Sequence, residues 1–187
     1  MALVSFLDKT DKQGQLMLAF ANGDARAFET LYSHFKTPLY RFFLRQCGNQ
    51  AIAEELYQEL WMRVIKAREN YEHSAKFSTW LYRIAHNLLI DHFRKKELDT
   101  DEADDDSLAD GPANNPEQII ASQEKITRFL TLLHNLPDEQ CEVFLLKEEA
   151  GLSLEEIGHI TNTSFETVKS RLRYAVKKLK QSLEDAA

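Results

Sequence analysis

The Lys and Arg side chains of the last predicted helix are the residues whose type and spacing best indicate a binding function. Six Lys and Arg residues lie between Ser164 and Gln181, against a single acid, Glu166. Side chains of this kind bind the phosphates of nucleic acids, and polar residues between them contact base edges. A basic helix that only faces solvent is the alternative. The chemistry that this segment indicates is the binding of a polyanion.

The six histidines and two cysteines form no pattern typical of catalysis or metal binding. The histidines form no HExxH or paired-carboxylate pattern, and the sequence has no glycine-rich phosphate loop and no CxxC pair. His134 and Cys141 are seven residues apart, but Pro137 lies between them. Cys47 and Cys141 fall on apolar helical patterns, where free thiols usually pack as small core residues. A helical enzyme is thus the weakest hypothesis, and we expect no catalytic residue, metal or cofactor.

The residues before the basic segment predict a helix-turn-helix. Leu136-Pro137 begins a helix, with Pro at its first position, that ends near Gly151. Ser153-Leu-Glu-Glu156 is a capping box, and Thr163-Ser-Phe-Glu166 is a second one ten residues later. Thr161-Asn162 makes a tight break between them, since Asn tolerates left-handed backbone. In the second helix the expected buried side is Phe165, Val168, Leu172, Val176 and Leu179.

The first half of the chain predicts five helical segments in one lobe. Asn22-Gly23 ends the first helix, Asp24 caps the second, and Pro38 begins another. Gly48-Asn49 is a further break, after which one helix covers residues 50–71 and another runs from 77 to about 96. With no strand-like alternation and few Gly or Pro, the composition predicts an all-α fold.

Two helix faces in this lobe have both a structural and a functional interpretation. One side of the helix at 50–71 is either solvated or a docking surface for a basic partner. The residues that share this side are Glu55, Gln58, Glu59, Met62 and Lys66. On the next helix a second aromatic stripe accompanies the core stripe. This second stripe either packs against another element or meets unstacked bases. Its members are Tyr82, His86, Leu89 and Phe93.

Charge divides the chain into two lobes. The net charge is −7, yet nine of the 30 acidic residues lie in residues 97–117, which contain no Lys or Arg. The rest of the chain has 21 acidic residues and 23 Lys and Arg residues, so it is slightly basic. We expect a tail at 1–11, a lobe at 12–97, a flexible acidic linker at 98–117 and a second lobe at 118–187. Lacking a signal-like or membrane-length apolar segment, the protein is expected to be cytoplasmic without membrane insertion.

Several motifs, in order along the chain, resemble the sigma-70 family of bacterial RNA polymerase sigma factors, in its extracytoplasmic-function (ECF) group. Ala53-Glu-Glu-Leu-Tyr-Gln-Glu-Leu-Trp61 is similar to the region 2 helix that binds the polymerase clamp. Phe77-Ser-Thr-Trp-Leu-Tyr-Arg-Ile-Ala-His-Asn87, followed by Asp91-His-Phe-Arg-Lys-Lys96, is similar to the segment that melts and reads the minus-10 element. Leu152-Ser-Leu-Glu-Glu-Ile157 and Thr167-Val-Lys-Ser-Arg171 resemble region 4, which reads the minus-35 element.

The resemblance implies a role for each of three sets of residues. The set expected to bind core polymerase is Glu54, Glu55, Gln58, Glu59 and Met62. The loop at 72–76 corresponds to one that captures a flipped base, and extruding a base requires compensation for lost stacking. The set expected at minus-10 DNA is Tyr71, His73, Ser74, Lys76, Phe77, Thr79, Trp80, Tyr82, Arg83, His86, Asn87 and Arg94. The set expected at minus-35 DNA is Ser164, Thr167, Lys169, Ser170, Arg171, Arg173, Tyr174, Lys177 and Lys178.

The resemblance also implies partners and shows departures. The expected partners are core RNA polymerase, through its beta-prime clamp and beta flap, promoter DNA and an anti-sigma factor, and the free chain is expected to be a monomer. Ile52 stands where relatives have an acid, Glu166 where they have Gly, and Gly158 where they commonly have Ala. The acidic linker suits a channel built for polyanions. The competing hypothesis is a helix-turn-helix regulator that does not join polymerase, which has no need for the Met62 face and would usually dimerise.

Overall fold

The computed structural model describes residues 11–98 and 127–184, which are helical apart from short connections and contain no strand. The predicted linker lies outside the described residues apart from Leu98, as does the predicted tail apart from Asp11. The all-α prediction is confirmed. The helices are α1 (Lys12–Ala21), α2 (Ala25–Cys47), α3 (Gln50–Ala67), α4 (Phe77–Leu98), α5 (including residues 127–134), α6 (Asp138–Glu148), α7 (Leu154–Thr161) and α8 (Phe165–Glu184).

Local signals delimit the helices of the first lobe. The Asp24 carboxylate accepts hydrogen bonds from the backbone N–H groups of Arg26 and Ala27, which caps α2 as predicted. Gly48 ends α2 in the left-handed conformation at φ +68°, and the Asn49 side chain caps α3. A 3₁₀ turn at Arg68–Asn70 closes α3. The predicted breaks at residues 22–24 and 48–49 are therefore confirmed.

Pro38 does not begin a helix, contrary to the prediction. It lies inside α2, which runs unbroken for 23 residues. Proline removes one backbone N–H and costs about 3 kcal/mol within a helix. One continuous face of α2 is buried on both sides of Pro38, and its packing offsets that cost. The buried apolar side chains of this face are Leu31, Phe35, Leu39, Phe42 and Phe43.

The second lobe is a helix-turn-helix, with α7 and α8 joined by a short turn. The Ser153–Glu156 capping box is formed in both directions, and Asn162 ends α7 in the left-handed conformation, both as predicted. The second capping box was predicted one residue too early. The Ser164 hydroxyl, not that of Thr163, accepts a hydrogen bond from the backbone N–H of Thr167. The Thr163 hydroxyl instead lies 2.9 Å from that of Thr161.

The buried side of α8 differs from the prediction at its first residue. Val168, Ala175 and Leu179 are buried, whereas Phe165 is 40% exposed. Phe165 is the first residue of α8, where no earlier turn exists to cover it. The other expected members, Leu172 and Val176, are half-buried.

The helices of the two lobes contact one another. Helix α4 packs against α3 within its own lobe and against α7 of the other, and α2 meets α6. The buried residues of both lobes form one apolar cluster. Two-sided packing of α4 was one of the two predicted uses of its second stripe, and Tyr82 and Leu89 are indeed buried. In the part of the chain that the structure describes, no helix is both long and apolar enough to span a membrane.

Candidate nucleic-acid and partner-binding surfaces

The outer side of α8 is basic and partly aromatic. Ser164, Lys169, Arg173, Tyr174, Lys177 and Lys178 are exposed, and Thr167, Ser170 and Arg171 are half-buried. The Arg173 guanidinium lies 5.2 Å from the centre of the Tyr174 ring, whose residue is 53% exposed. Because Val168, Ala175 and Leu179 anchor the opposite side, this surface is held outward.

Two of the basic side chains predicted to bind minus-35 DNA also form contacts within the second lobe. Arg171 forms an ion pair with Glu139 of α6 at 3.0 Å. Lys178 donates to the backbone carbonyl of Asn135. A groove of about 340 Å³ lies beside Lys178, between the start of α6 and α8, and its lining includes Tyr174 and Lys177. Two ammonium groups and a phenol at one groove suit a backbone phosphate.

Gly158 lies close to the turn of the helix-turn-helix. A Cβ on Gly158 would lie 2.9 Å from the backbone carbonyl oxygen of Thr163. Gly158, where relatives commonly have Ala, therefore permits the close approach of the segment before α8.

The polar face of α3 is exposed and contains an apolar centre. Glu54, Glu55 and Gln58 are exposed, and Met62 is 50% exposed. Glu59 receives a hydrogen bond from Arg63 at 2.9 Å, and this bond lowers the pKa of the Glu59 carboxyl.

Sequence reasoning missed Ile65 on the same helix. It lies three residues after Met62, is exposed, and widens the apolar centre among the carboxylates. The signal was present in the sequence, since positions i and i+3 of a helix are neighbours.

The connection between α3 and α4 has an aromatic floor. Tyr71 is 8% exposed, and its ring lies 5.0 Å from that of Trp80. Phe77 is fully buried beside both of them. The Tyr71 hydroxyl is buried without a hydrogen-bond partner, and burial raises the pKa of that phenol. Tyr71 and Phe77 thus support the loop, and the exposed loop residues include Ser74 and Lys76.

Most of the α4 residues predicted to bind minus-10 DNA are either exposed or in contact with the second lobe. Arg83, Asn87 and Arg94 are exposed, and Arg94 pairs with Asp91 at 3.2 Å. Tyr82 is buried within the first lobe, where its ring meets Phe42 edge-on at 5.4 Å.

Three other predicted minus-10 residues face carboxylates of the second lobe. His86 Nδ1 lies 2.7 Å from Glu142 Oε1, and Lys76 Nζ lies 3.0 Å from Glu156 Oε1. The Thr79 hydroxyl is 3.4 Å from the same Glu156 oxygen. The surface proposed to read minus-10 DNA is therefore partly covered by α6 and α7.

Glu156 has two roles at this contact. Burial alone would raise the pKa of its carboxyl, but the Ser153 backbone N–H and the Lys76 ammonium bind the charged form, so the pKa lies below its usual range. The carboxylate caps α7 and at the same time contacts Lys76, just before α4, and Thr79 of α4. A second ion pair, Arg45 with Glu149, joins α2 to the end of α6. Sequence reasoning missed these contacts, because no periodicity links residues of two separate lobes.

Comparison with known proteins identifies both lobes. Sigma-70 region 2 matches residues 31–98, and Sigma-70, region 4 matches residues 132–181. The chain is 36% identical over 174 residues to the ECF RNA polymerase sigma factor SigW of Bacillus subtilis, covering 87% of this chain and 92% of SigW. It is 31% identical over 154 residues to the ECF RNA polymerase sigma factor SigM of Bacillus subtilis, covering 81% of this chain and 92% of SigM.

A solved structure has the same fold. The sigma factor RpoE of Bartonella quintana, in complex with the anti-sigma factor NepR, matches with a TM-score of 0.73 and 23% identity. That match covers 86% of this chain and 98% of RpoE. The two family matches together include more than half of the residues. The chain therefore belongs to the sigma-70 family, in which it is an alternative sigma factor of the ECF group directing transcription initiation.

Proposed function

We propose that this sigma factor docks onto core RNA polymerase through the α3 face, defined as Glu54, Glu55, Gln58, Glu59 and Met62. The observation that carries the proposal is an exposed, acidic surface with an apolar centre on a different lobe from the basic helix. Apolar anchors ringed by charged groups are the usual composition of a protein interface. A regulator that only binds DNA needs α8 and has no use for this face.

The second lobe reads the minus-35 element through α8. Ser164 caps α8, and Thr167 and Ser170 lie on its first two turns, where a recognition helix meets base edges. The Lys and Arg residues further along bind phosphates, which fix the register of the helix on the duplex. Glu166 lies in the first turn and is exposed, so its carboxylate favours the helix terminus while facing DNA.

The first lobe reads and opens the minus-10 element through α4 and the loop at 72–76. Arg83, Asn87 and Arg94 face solvent and are available to DNA. We call the arrangement in which the two lobes are in contact the closed arrangement. In it Glu156 and Glu142 cover Thr79 and His86, which become available only when the lobes separate. The exposed Lys76 is paired with Glu156 in the same arrangement. Carboxylates at these positions would also repel DNA phosphates. Separation of the lobes is therefore a step of the proposed mechanism.

We expect this chain to be regulated by a protein that binds the closed arrangement and so keeps the covered DNA-binding residues unavailable. RpoE, which shares the fold, is bound by the anti-sigma factor NepR in its solved structure. An anti-sigma factor for this chain would stabilise the closed arrangement in the cytoplasm, where the chain would otherwise join polymerase as a monomer. By binding only one state, such a partner shifts the equilibrium toward that state.

Gel filtration with core RNA polymerase tests the docking face. The wild-type chain is expected to co-elute with polymerase, and a Glu55→Lys/Glu59→Lys variant is expected not to. A matched control, Glu29→Lys/Glu148→Lys, makes the same charge change at two exposed residues outside the face and is expected to co-elute.

Two outcomes would contradict the proposal. Equal loss in the control variant would show that net charge, not the α3 face, governs binding. Failure of the wild type, with polymerase that binds another sigma factor, would favour the regulator that does not join polymerase.

A further inference from the structure

The carboxylate of Asp11 connects two points of the segment that precedes α4. Its Oδ2 atom accepts a hydrogen bond from the backbone N–H of Phe77 at 2.8 Å. The same oxygen lies 3.0 Å from Nε2 of His73. Asp11 is 9% exposed and lies before residues 31–98, the segment that matches region 2. A residue of the predicted tail is thus part of the first lobe.

These two contacts are at the two ends of the loop proposed to capture a base. His73 lies near its beginning, and Phe77 is the first residue of α4. The N–H of a first helical residue has no partner within its own helix, so an acceptor from outside must satisfy it when it is buried. Ser74, Ala75 and Lys76 lie between the two contacts and are exposed. One carboxylate therefore fixes the span of the exposed loop.

The surroundings of Asp11 leave little room for another arrangement. A Cβ on Gly14 would lie 2.4 Å from His73 Nε2 and 2.6 Å from Asp11 Oδ2. Gly14 is within α1, where glycine costs about 1 kcal/mol relative to alanine, and this close approach accounts for its presence. On the other side, the Tyr71 ring stacks on the His73 imidazole at 6.5 Å and 23°. Met17 and Phe20 anchor α1 in the core.

We propose that Asp11 is a positioning residue for minus-10 recognition and that it holds the loop at 72–76 in the conformation that receives an unpaired base. It acts through His73 and the Phe77 N–H and does not itself contact DNA, because its carboxylate is buried and occupied. This inference rests on the proposed function of the first lobe. Preorganisation of a loop raises affinity by lowering the ordering cost of binding.

The test measures how tightly holoenzyme, reconstituted with core polymerase, binds a single-stranded minus-10 oligonucleotide. Asp11→Ala removes both hydrogen bonds and is expected to weaken binding about ten-fold, which corresponds to about 1.4 kcal/mol. Asp11→Asn keeps an acceptor oxygen and is expected to remain within about two-fold of the wild type. Asp24→Ala is the matched control, because it removes another capping carboxylate of the same lobe, one that binds the start of α2. It is expected to leave oligonucleotide binding unchanged.

A second readout separates positioning from general stability. Abasic sites are placed one at a time along the oligonucleotide. The loss of affinity that each site causes in the wild-type holoenzyme is compared with the loss that it causes in Asp11→Ala. At the captured base, the abasic site should cost the variant much less than the wild type, since the loop no longer grips that base. Binding to a minus-35 duplex should not change. If Asp11→Ala does not fold, Gly14→Ala serves instead, because its Cβ displaces His73 and Asp11 without removing either.

Three results would overturn the inference. Asp11→Ala could bind the oligonucleotide as the wild type does, or Asp24→Ala could lose as much affinity as Asp11→Ala. The abasic penalties could also be equal in variant and wild type at every position. Failure of the wild-type holoenzyme to bind the oligonucleotide is distinguishable from these, because it refutes minus-10 reading itself and the inference with it.

Discussion

Replacing Glu142 by Ala should shift the protein from the closed arrangement toward separated lobes. The carboxylate of Glu142 lies 2.7 Å from His86 Nδ1, and the side chains of both residues are only 10% and 13% exposed. A carboxylate only accepts, so the imidazole N–H is the donor. A buried hydrogen bond to a charged group contributes about 1.5–3 kcal/mol. When the lobes are separated, which we call the open state, water solvates His86. The loss of the hydrogen bond therefore destabilises only the closed arrangement.

A loss of about 2 kcal/mol changes the ratio of open to closed molecules about 30-fold. Single-molecule energy transfer between one dye in each lobe measures this ratio. Cysteines introduced at the exposed positions Glu29 and Glu148 can carry the dyes in a Cys47→Ser background. Cys141 can remain, because it is buried.

The control removes another glutamate from the same helix. Glu139 is exposed and pairs with Arg171 inside the second lobe, so Glu139→Ala should leave the open fraction unchanged. Thermal unfolding of each variant checks that both lobes stay folded. Superimposable distributions for Glu142→Ala and the wild type would refute the reasoning, as would an equal shift in Glu139→Ala.

Three further predictions concern pH, thiol reactivity and packing. The pKa of Glu156 is lower in the folded protein than in the unfolded chain, so its stabilisation is complete above the ordinary glutamate value of about 4.5 and is lost as pH falls through the folded value. The difference in Tm between wild type and Glu156→Gln should therefore shrink below about pH 4.5 in thermal scans from pH 7 to 3.5, and a difference independent of pH would contradict this. Burial raises the pKa of the Cys141 thiol to about 12, so mass spectrometry should find it unalkylated at pH 8 until guanidinium unfolds the protein; rapid labelling of native protein would refute this. Gly158→Ala should lower the free energy of unfolding by about 1–2 kcal/mol despite the higher helix propensity of Ala, because the new Cβ meets the Thr163 carbonyl at 2.9 Å; an unchanged or raised Tm would show that the turn can relax.

Local chemistry was sufficient to predict the helix-turn-helix. The Ser153–Glu156 box and the left-handed Asn162 depend on residues within a few positions of one another. The choice between Thr163 and Ser164 as the cap of α8 was not predictable at this level, because both side chains carry a hydroxyl that can accept. Helical spacing predicted the buried Val168 and Leu179. It did not predict that Ala175 would be buried rather than Val176, or that Phe165 would stay 40% exposed.

Pro38 shows where local preference was insufficient. As a strong helix breaker it predicted a boundary, yet α2 continues through it because its apolar face is buried on both sides. The energy that decides the matter comes from residues of other helices, which the local sequence does not contain. The same holds for Tyr82, whose aromatic stripe predicted either packing or DNA contact and whose buried position the tertiary structure established.

The sequence by itself determined the family, the helical class, the two lobes and the types of residue on each surface. Only the tertiary structure decided which of those residues are covered. His86 meets Glu142 and Asp11 meets His73 across separations of 56 and 62 residues. Periodicity and capping act over one or two turns of helix, so they fix which side of an element is apolar. Pairing of buried carboxylates depends on how whole elements pack, because a charge leaves water only where a distant donor is in place to receive it.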